Sequence, residues 1–256
     1  MSQKPDIFSL KSFSAGSAGD DNNIHLWIKG ASLFIDQLLS LLKYTDYVPP
    51  VVDINEFNNE YVSELSTILN SNKSDKASDH NYHILYSYIL NNHLNRNDKL
   101  NILEIGLGTN NPALVSTMGI NGRPGASLYS WKEYLPNSSI YGADIDKDIL
   151  FETDRIKTTF VDQLEISTFH SLKTTFGNKK YDMIIDDGLH SIGANLNTLL
   201  FAIDNLNDKG WIVIEDIHII DTWHCIDFIL SKNINYKTYL VRTNKPGSWL
   251  YVVHKL

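Results

Sequence analysis

YDMIIDDGLH, residues 181–190, is an apolar run that stops abruptly at Asp186 and Asp187, with His190 three positions past the second acid. A second run, GWIVIEDIH at residues 210–218, stops in the same way at Glu215 and Asp216. Continuous apolar runs of this length read as parallel strands buried on both faces, with their C-terminal ends opening into a crevice. Side by side, the four acids repel one another and lose hydration, and a bound cation is the simplest way to keep them ionised. His190 then faces the same crevice as a base, because an imidazole titrates near neutral pH.

Working outward, residues 100–108 (LNILEIGLG) form a strand that runs into Gly106 and Gly108, where the backbone can turn sharply and approach a ligand. The third glycine of a dinucleotide fingerprint is missing, which disfavours a nicotinamide cofactor. Residues 139–145 (SIYGADI) are a second strand ending at Asp144, an acid placed to accept both hydroxyls of a ribose. A third strand over 155–161 is followed by Asp162 and Gln163, groups able to reach an adenine edge. Helices are expected over 127–134, 166–176, 194–206 and 222–231, with a turn at 208–210. Strands at 236–242 and 248–254 make a closing antiparallel hairpin. Strands alternating with helices place the chain in the α/β class.

Upstream, residues 1–23 are rich in Ser, Gly, Asp and Asn and read as a flexible segment. Apolar spacing predicts helices over 25–44, 56–69 and 81–94, which carry no chemical signature and are read as packing elements, or as a cover for the sheet edge that walls a substrate pocket. The organisation expected is a flexible segment and helical extension over residues 1–98, then a ligand-binding domain over 99–256. The loop at 109–127, rich in Gly, Asn and Pro, is long enough to be functional or mobile. A net charge of −8 without a basic run argues against a nucleic-acid partner. The single cysteine, Cys225, excludes an intrachain disulfide or a cysteine metal cage and suits a reducing cytoplasm. No apolar run reaches roughly 18 residues, so membrane insertion is not expected. Self-association as a homo-oligomer is left open.

Glu104, Gly106 and Gly108, with Asp144, Asp162 and Asp186 at successive strand ends, resemble the motif series of class I methyltransferases that use S-adenosylmethionine. More narrowly, GASLYSWKEYLPNSSIYGADID, DDGLH and GWIVIEDIH resemble the macrocin and novobiocin group of sugar O-methyltransferases, over roughly residues 100–218. The resemblance implies a Rossmann-like class I methyltransferase fold. It would be built on a mostly parallel seven-stranded sheet with the C-terminal hairpin. It implies that Glu104, Gly106 and Gly108 line the methionine part of the cofactor, that Asp144 holds the ribose, and that Asp162 and Gln163 lie on the adenine side, with Asp186 completing the series. It implies Asp187, Glu215 and Asp216 as ligands of Mg²⁺ or Mn²⁺, and His190, with Asp187, in catalysis. The acceptor implied is a small-molecule sugar or nucleotide sugar in surface-polysaccharide or natural-product biosynthesis. Leu189 stands where family members often carry Ser, and the loop at 109–123 is longer than in many relatives.

Each of these residues also has a blander use. Asp186 and Asp187 could instead be helix caps, and His190 an ordinary loop histidine. His218 is a second candidate base. Trp131, Trp211 and Trp223 read as core or pocket wall before they read as sugar platforms. A catechol-type O-methyltransferase and a cofactor-binding module without transfer activity are the competing functional readings.

Overall fold

The computed structural model describes residues 36–256. The expected flexible segment at 1–23, and most of the helix expected over 25–44, lie outside the described residues; residues 36–42 are helical. The chain divides between Val48 and Pro49, and Pro49–Leu256 forms a compact unit of its own. Among the described residues no helix is long and apolar enough to cross a membrane.

The centre of that unit is an eight-stranded sheet. Its strands are β1 (Val51–Asp53), β2 (Asn101–Ile105), β3 (Ser139–Asp144), β4 (Ile156–Phe160), β5 (Tyr181–Asp186), β6 (Leu206–Ile217), β7 (Tyr236–Arg242) and β8 (Trp249–Lys255). The spatial order is β1-β7-β8-β6-β5-β2-β3-β4, parallel except where β8 runs against β6 and β7. Seven of these strands are the ones expected. The eighth is β1, a three-residue edge strand pairing in parallel with β7 directly after Pro49 and Pro50. So short an element carries no period to read, and only an edge tolerates prolines beside it. The expected turn at 208–210 is instead an irregularity inside β6, where Lys209 takes a φ of 63° and the register with β5 slips.

Helices α1 (Val62–Ser71), α2 (Asp75–Ser78), α3 (His83–Tyr88) and α4 (Ala126–Tyr134) accompany helices α5 (Ile166–Thr175), α6 (Ile192–Asn205) and α7 (Ile220–Leu230). The period-2 alternation of the strands sorts the core into two layers. Ile102, Met183, Ile185, Trp211 and Val213 pack with Leu65, Leu85, Tyr86 and Trp131 from α1, α3 and α4. Leu103, Ile105, Ile184, Ile212 and Ile214 pack with Phe169, Leu199 and Trp223 from α5, α6 and α7. The helices upstream of β2, together with α4, are therefore one of the two layers that cover the sheet. That placement decides what reaches the strand tips.

Candidate active site

The order in which strands are laid down reverses between the parallel neighbours β2 and β5: β3 and β4 continue outward from β2, while β6 follows β5 on the other side. In open α/β sheets a ligand crevice forms at this switch point, beyond the carboxyl ends of the strands. Here the two strand exits are tied together, with Asp187 N–H donating to the Ile105 carbonyl at 2.8 Å and Gly106 N–H to that of Ala143 at 2.8 Å. Gly106 has a φ of 94°, and a Cβ on it would fall 2.0 Å from the Asp187 carbonyl oxygen. Only glycine permits this contact.

A cavity of about 280 Å³ opens above these exits, lined by Gly106, Gly108, Asp144, Asp162, Gln163, Asp187 and Leu189 among others. Asp144 accepts from the Leu107 N–H at 2.7 Å and the Asp146 N–H at 2.8 Å, so its carboxylate is oriented by the glycine turn that it faces. Asp162 borders the same cavity and caps Leu164 N–H at 2.9 Å. Gln163 also borders it, but its side-chain amide turns inward. It donates to Asp186 at 2.8 Å and Thr198 at 2.9 Å, and its oxygen accepts from Leu189 N–H at 2.7 Å.

The neighbouring acids Asp186 and Asp187 part company. Alternation sends Asp186 to the α6 side, fully buried, where it accepts from Gln163 and from Asn195 at 3.1 Å. Burial raises its pKa, and the amide and hydroxyl donors around it pull the other way. Its observed contacts fix the loop after β5. Asp187 leaves on the opposite side, a quarter exposed, lining the cavity and facing the upstream helices.

Glu104 and Glu215 point to that same helical layer, each almost completely buried. Glu104 does not line the cavity. It accepts from Ser127 Oγ at 2.7 Å and from Trp131 Nε1 at 2.7 Å. Between the acids stands Lys76 of α2, only 2% exposed, with its Nζ 2.6 Å from Asp187, 2.7 Å from Glu215 and 3.4 Å from Glu104. Burial alone would favour the neutral amine, yet the three carboxylates override it and hold the lysine pKa well above its ordinary value. Tyr86 of α3 donates to the other Glu215 oxygen. Both Glu215 oxygens thus have protein partners.

Asp216 adopts a φ of 53° at the end of β6, a left-handed conformation that turns its carboxylate out of the alternation and toward Asp187. His190, with a φ of 55°, is held in the same region of backbone space. One ligand atom each from Asp187, His190 and Asp216 lie within 4.8 Å of one another, and His190 Nε2 is 3.9 Å from Asp187. Asp216 Oδ1 accepts from Tyr82 at 2.8 Å and lies 3.5 Å from His80 Nδ1. Burial pushes the Asp216 pKa up, but the Tyr82 hydroxyl and the nearby His80, His190 and Lys76 bring it below its usual value. His218 sits apart on an exposed loop, 3.3 Å from the Gly247 carbonyl.

Lys76, His80, Tyr82 and Tyr86, all from the stretch before β2, were not anticipated as site residues. The one local signal is Ser74, whose Oγ caps α2 at Lys76 N–H and so fixes the start of that short helix.

No family model matches the chain. It is 34% identical over 125 residues to the mycinamicin VI 2''-O-methyltransferase of Micromonospora griseorubida, covering 48% of this chain and 28% of that protein. It is 33% identical over 122 residues to the L-olivosyl-oleandolide 3-O-methyltransferase of Streptomyces antibioticus, covering 47% and 29% respectively. The similarity to these two O-methyltransferases runs over just under half of this chain and spans less than a third of the length of either enzyme. The fold of the chain is that of the MycE methyltransferase of the mycinamycin pathway, solved with Mg, SAH and mycinamycin VI. That comparison gives a TM-score of 0.58 at 20% identity over 75% of this chain and 54% of that one. The class I methyltransferase fold expected from the strand-end motifs is therefore borne out, with β1 as an added edge.

Proposed function

We propose that this protein is an O-methyltransferase that uses S-adenosylmethionine and a divalent ion, Mg²⁺ or Mn²⁺, to methylate a sugar hydroxyl. The acceptor is a small molecule bearing a sugar, nucleotide-linked or attached to a natural product or surface-polysaccharide precursor. One observation carries the reading. Asp187 belongs at once to the wall of the cavity at the switch point and to the cluster with His190 and Asp216. A nucleoside sulfonium in the cavity and a hydroxyl at the cluster would then be neighbours, and alignment is most of what this displacement requires.

The leaving thioether needs no proton, whereas the acceptor hydroxyl must lose one. His190 Nε2, beside Asp187, is the group we assign to take it. The carboxylate oxygens of Asp187 and Asp216 fit a hard cation, with His190 Nε2 beside them as the base, and the acids Glu104, Asp187 and Glu215 meet the ammonium of Lys76. When bound, such an ion lowers the pKa of a hydroxyl in contact with it. Asp144 and Asp162 orient the nucleoside from the cavity rim, and Gly106 and Gly108 let the backbone approach the methionine portion. The similarity to a mycinamicin VI 2''-O-methyltransferase and an L-olivosyl-oleandolide 3-O-methyltransferase supports the acceptor class.

The test is transfer of labelled methyl from S-adenosylmethionine to a panel of nucleotide sugars and glycosylated natural products, with and without chelator. Asp216→Ala should abolish turnover while cofactor affinity stays within about tenfold. His190→Ala should lower the rate steeply with little change in metal binding. Full activity in excess chelator contradicts the metal-assisted reading.

A further inference from the structure

The resemblance to sugar O-methyltransferases would put Glu215 on the metal, and the geometry does not. One Glu215 oxygen is taken by Lys76 at 2.7 Å and the other by Tyr86, and the carboxylate is 1% exposed. Asp187 gives Lys76 only its Oδ2, leaving Oδ1 toward His190, and Asp216 receives Tyr82 and Ser248 on Oδ1 alone. Each of these two acids therefore keeps an oxygen for an ion at the opening, whereas Glu215 keeps none.

We propose that the Lys76 ammonium is a built-in cation that withdraws Glu215 from the metal's ligand set, so that the divalent ion is held by Asp187 and Asp216. Lys76 is a positioning residue in this scheme. It joins Glu104 under the glycine turn to Asp187 and Glu215, the acids at the ends of β5 and β6. Two protein carboxylates leave most of the coordination sphere to water and acceptor oxygens, as suits Mg²⁺. The inference rests on the metal-assisted reading above and changes which residues carry it.

The test is the affinity of Mn²⁺ for the full chain, read by electron paramagnetic resonance of the free ion and by calorimetry, with no turnover involved. The charge-balanced double variant Lys76→Met/Glu215→Gln removes the buried pair together, a replacement that proteins often tolerate. It should bind Mn²⁺ within about fivefold of wild type, whereas Asp216→Asn should bind at least about fiftyfold more weakly. The single variant Lys76→Met frees Glu215. Its Mn²⁺ affinity should rise by about tenfold or more, and added Mn²⁺ should raise its melting temperature further than it raises that of wild type. A double variant that loses as much affinity as Asp216→Asn overturns the proposal, and does so even if Lys76→Met alone fails to fold. Wild-type protein that binds no Mn²⁺ sinks the metal-assisted reading itself, and this inference with it.

Discussion

Replacing Gly106 by alanine tests whether the crevice depends on the contact between the exits of β2 and β5. The added Cβ would lie 2.0 Å from the Asp187 carbonyl oxygen, 2.4 Å from its carbon and 2.7 Å from Gly188 Cα. All three are backbone atoms, so no side-chain rotation relieves the overlap. An L-residue in left-handed space adds about 1–2 kcal/mol, and forcing packed backbone apart adds about 1–3 kcal/mol, for a loss of about 2–5 kcal/mol in stability. The same displacement strains the 2.8 Å bond from Asp187 N–H to Ile105 and moves Asp187 relative to the cavity. S-adenosylmethionine affinity should therefore fall by at least about tenfold. Gly177 is the control: its φ is 76°, but a Cβ there meets nothing within 4 Å. Gly177→Ala should lose only about 1–2 kcal/mol, with cofactor affinity unchanged. Urea unfolding gives the first quantity and calorimetric titration the second. If the two variants match in both, the close approach at Gly106 is not what shapes the site.

Other outcomes follow from the buried groups. Trp131→Phe removes the indole N–H that donates to buried Glu104 at 2.7 Å, and should destabilise the protein by about 2–3 kcal/mol in urea melts. Serine at 127 still serves the other Glu104 oxygen, so Ser127→Ala combined with Trp131→Phe should lose more than the sum of the singles. Burial first, then His93 and Lys237, lower the His254 pKa from 6.5 to about 4. Between these values the unfolded chain takes up a proton that the folded chain does not, so stability falls as pH drops through that window. With allowance for solvent screening of this partly exposed ring the fall is about 1–2 kcal/mol, and His254→Gln should flatten it in melts at pH 7 and pH 5.

Much of this molecule can be read along the chain because its signals are local. Apolar runs that end in acids mark β5 and β6, glycines after β2 mark the turn at the crevice, and Asp144 and Asp162 close β3 and β4 where expected. Local signals also misled. DDGLH presents Asp186 and Asp187 as a pair, but the period of two that makes the run a strand sends them to opposite layers, one to Asn195 and the other to Lys76. Glu215 and Asp216 would part in the same way, and it takes the left-handed φ of Asp216 to bring it back toward Asp187.

Residue pattern alone was enough for the mostly parallel sheet and the acids at the strand ends, since each is encoded within a few neighbouring positions. Which acids meet, and through what, was decided only when α1, α2 and α3 closed over the sheet and carried Lys76, Tyr82 and Tyr86 to the strand tips. The separations are 111 residues for Lys76 and Asp187, 139 for Lys76 and Glu215, and 134 for Tyr82 and Asp216. No periodicity spans such intervals. A lysine with no pattern around it becomes the charge at the centre of three carboxylates because burial in one shared layer takes away the water that would otherwise solvate these charges, and they pair with one another instead.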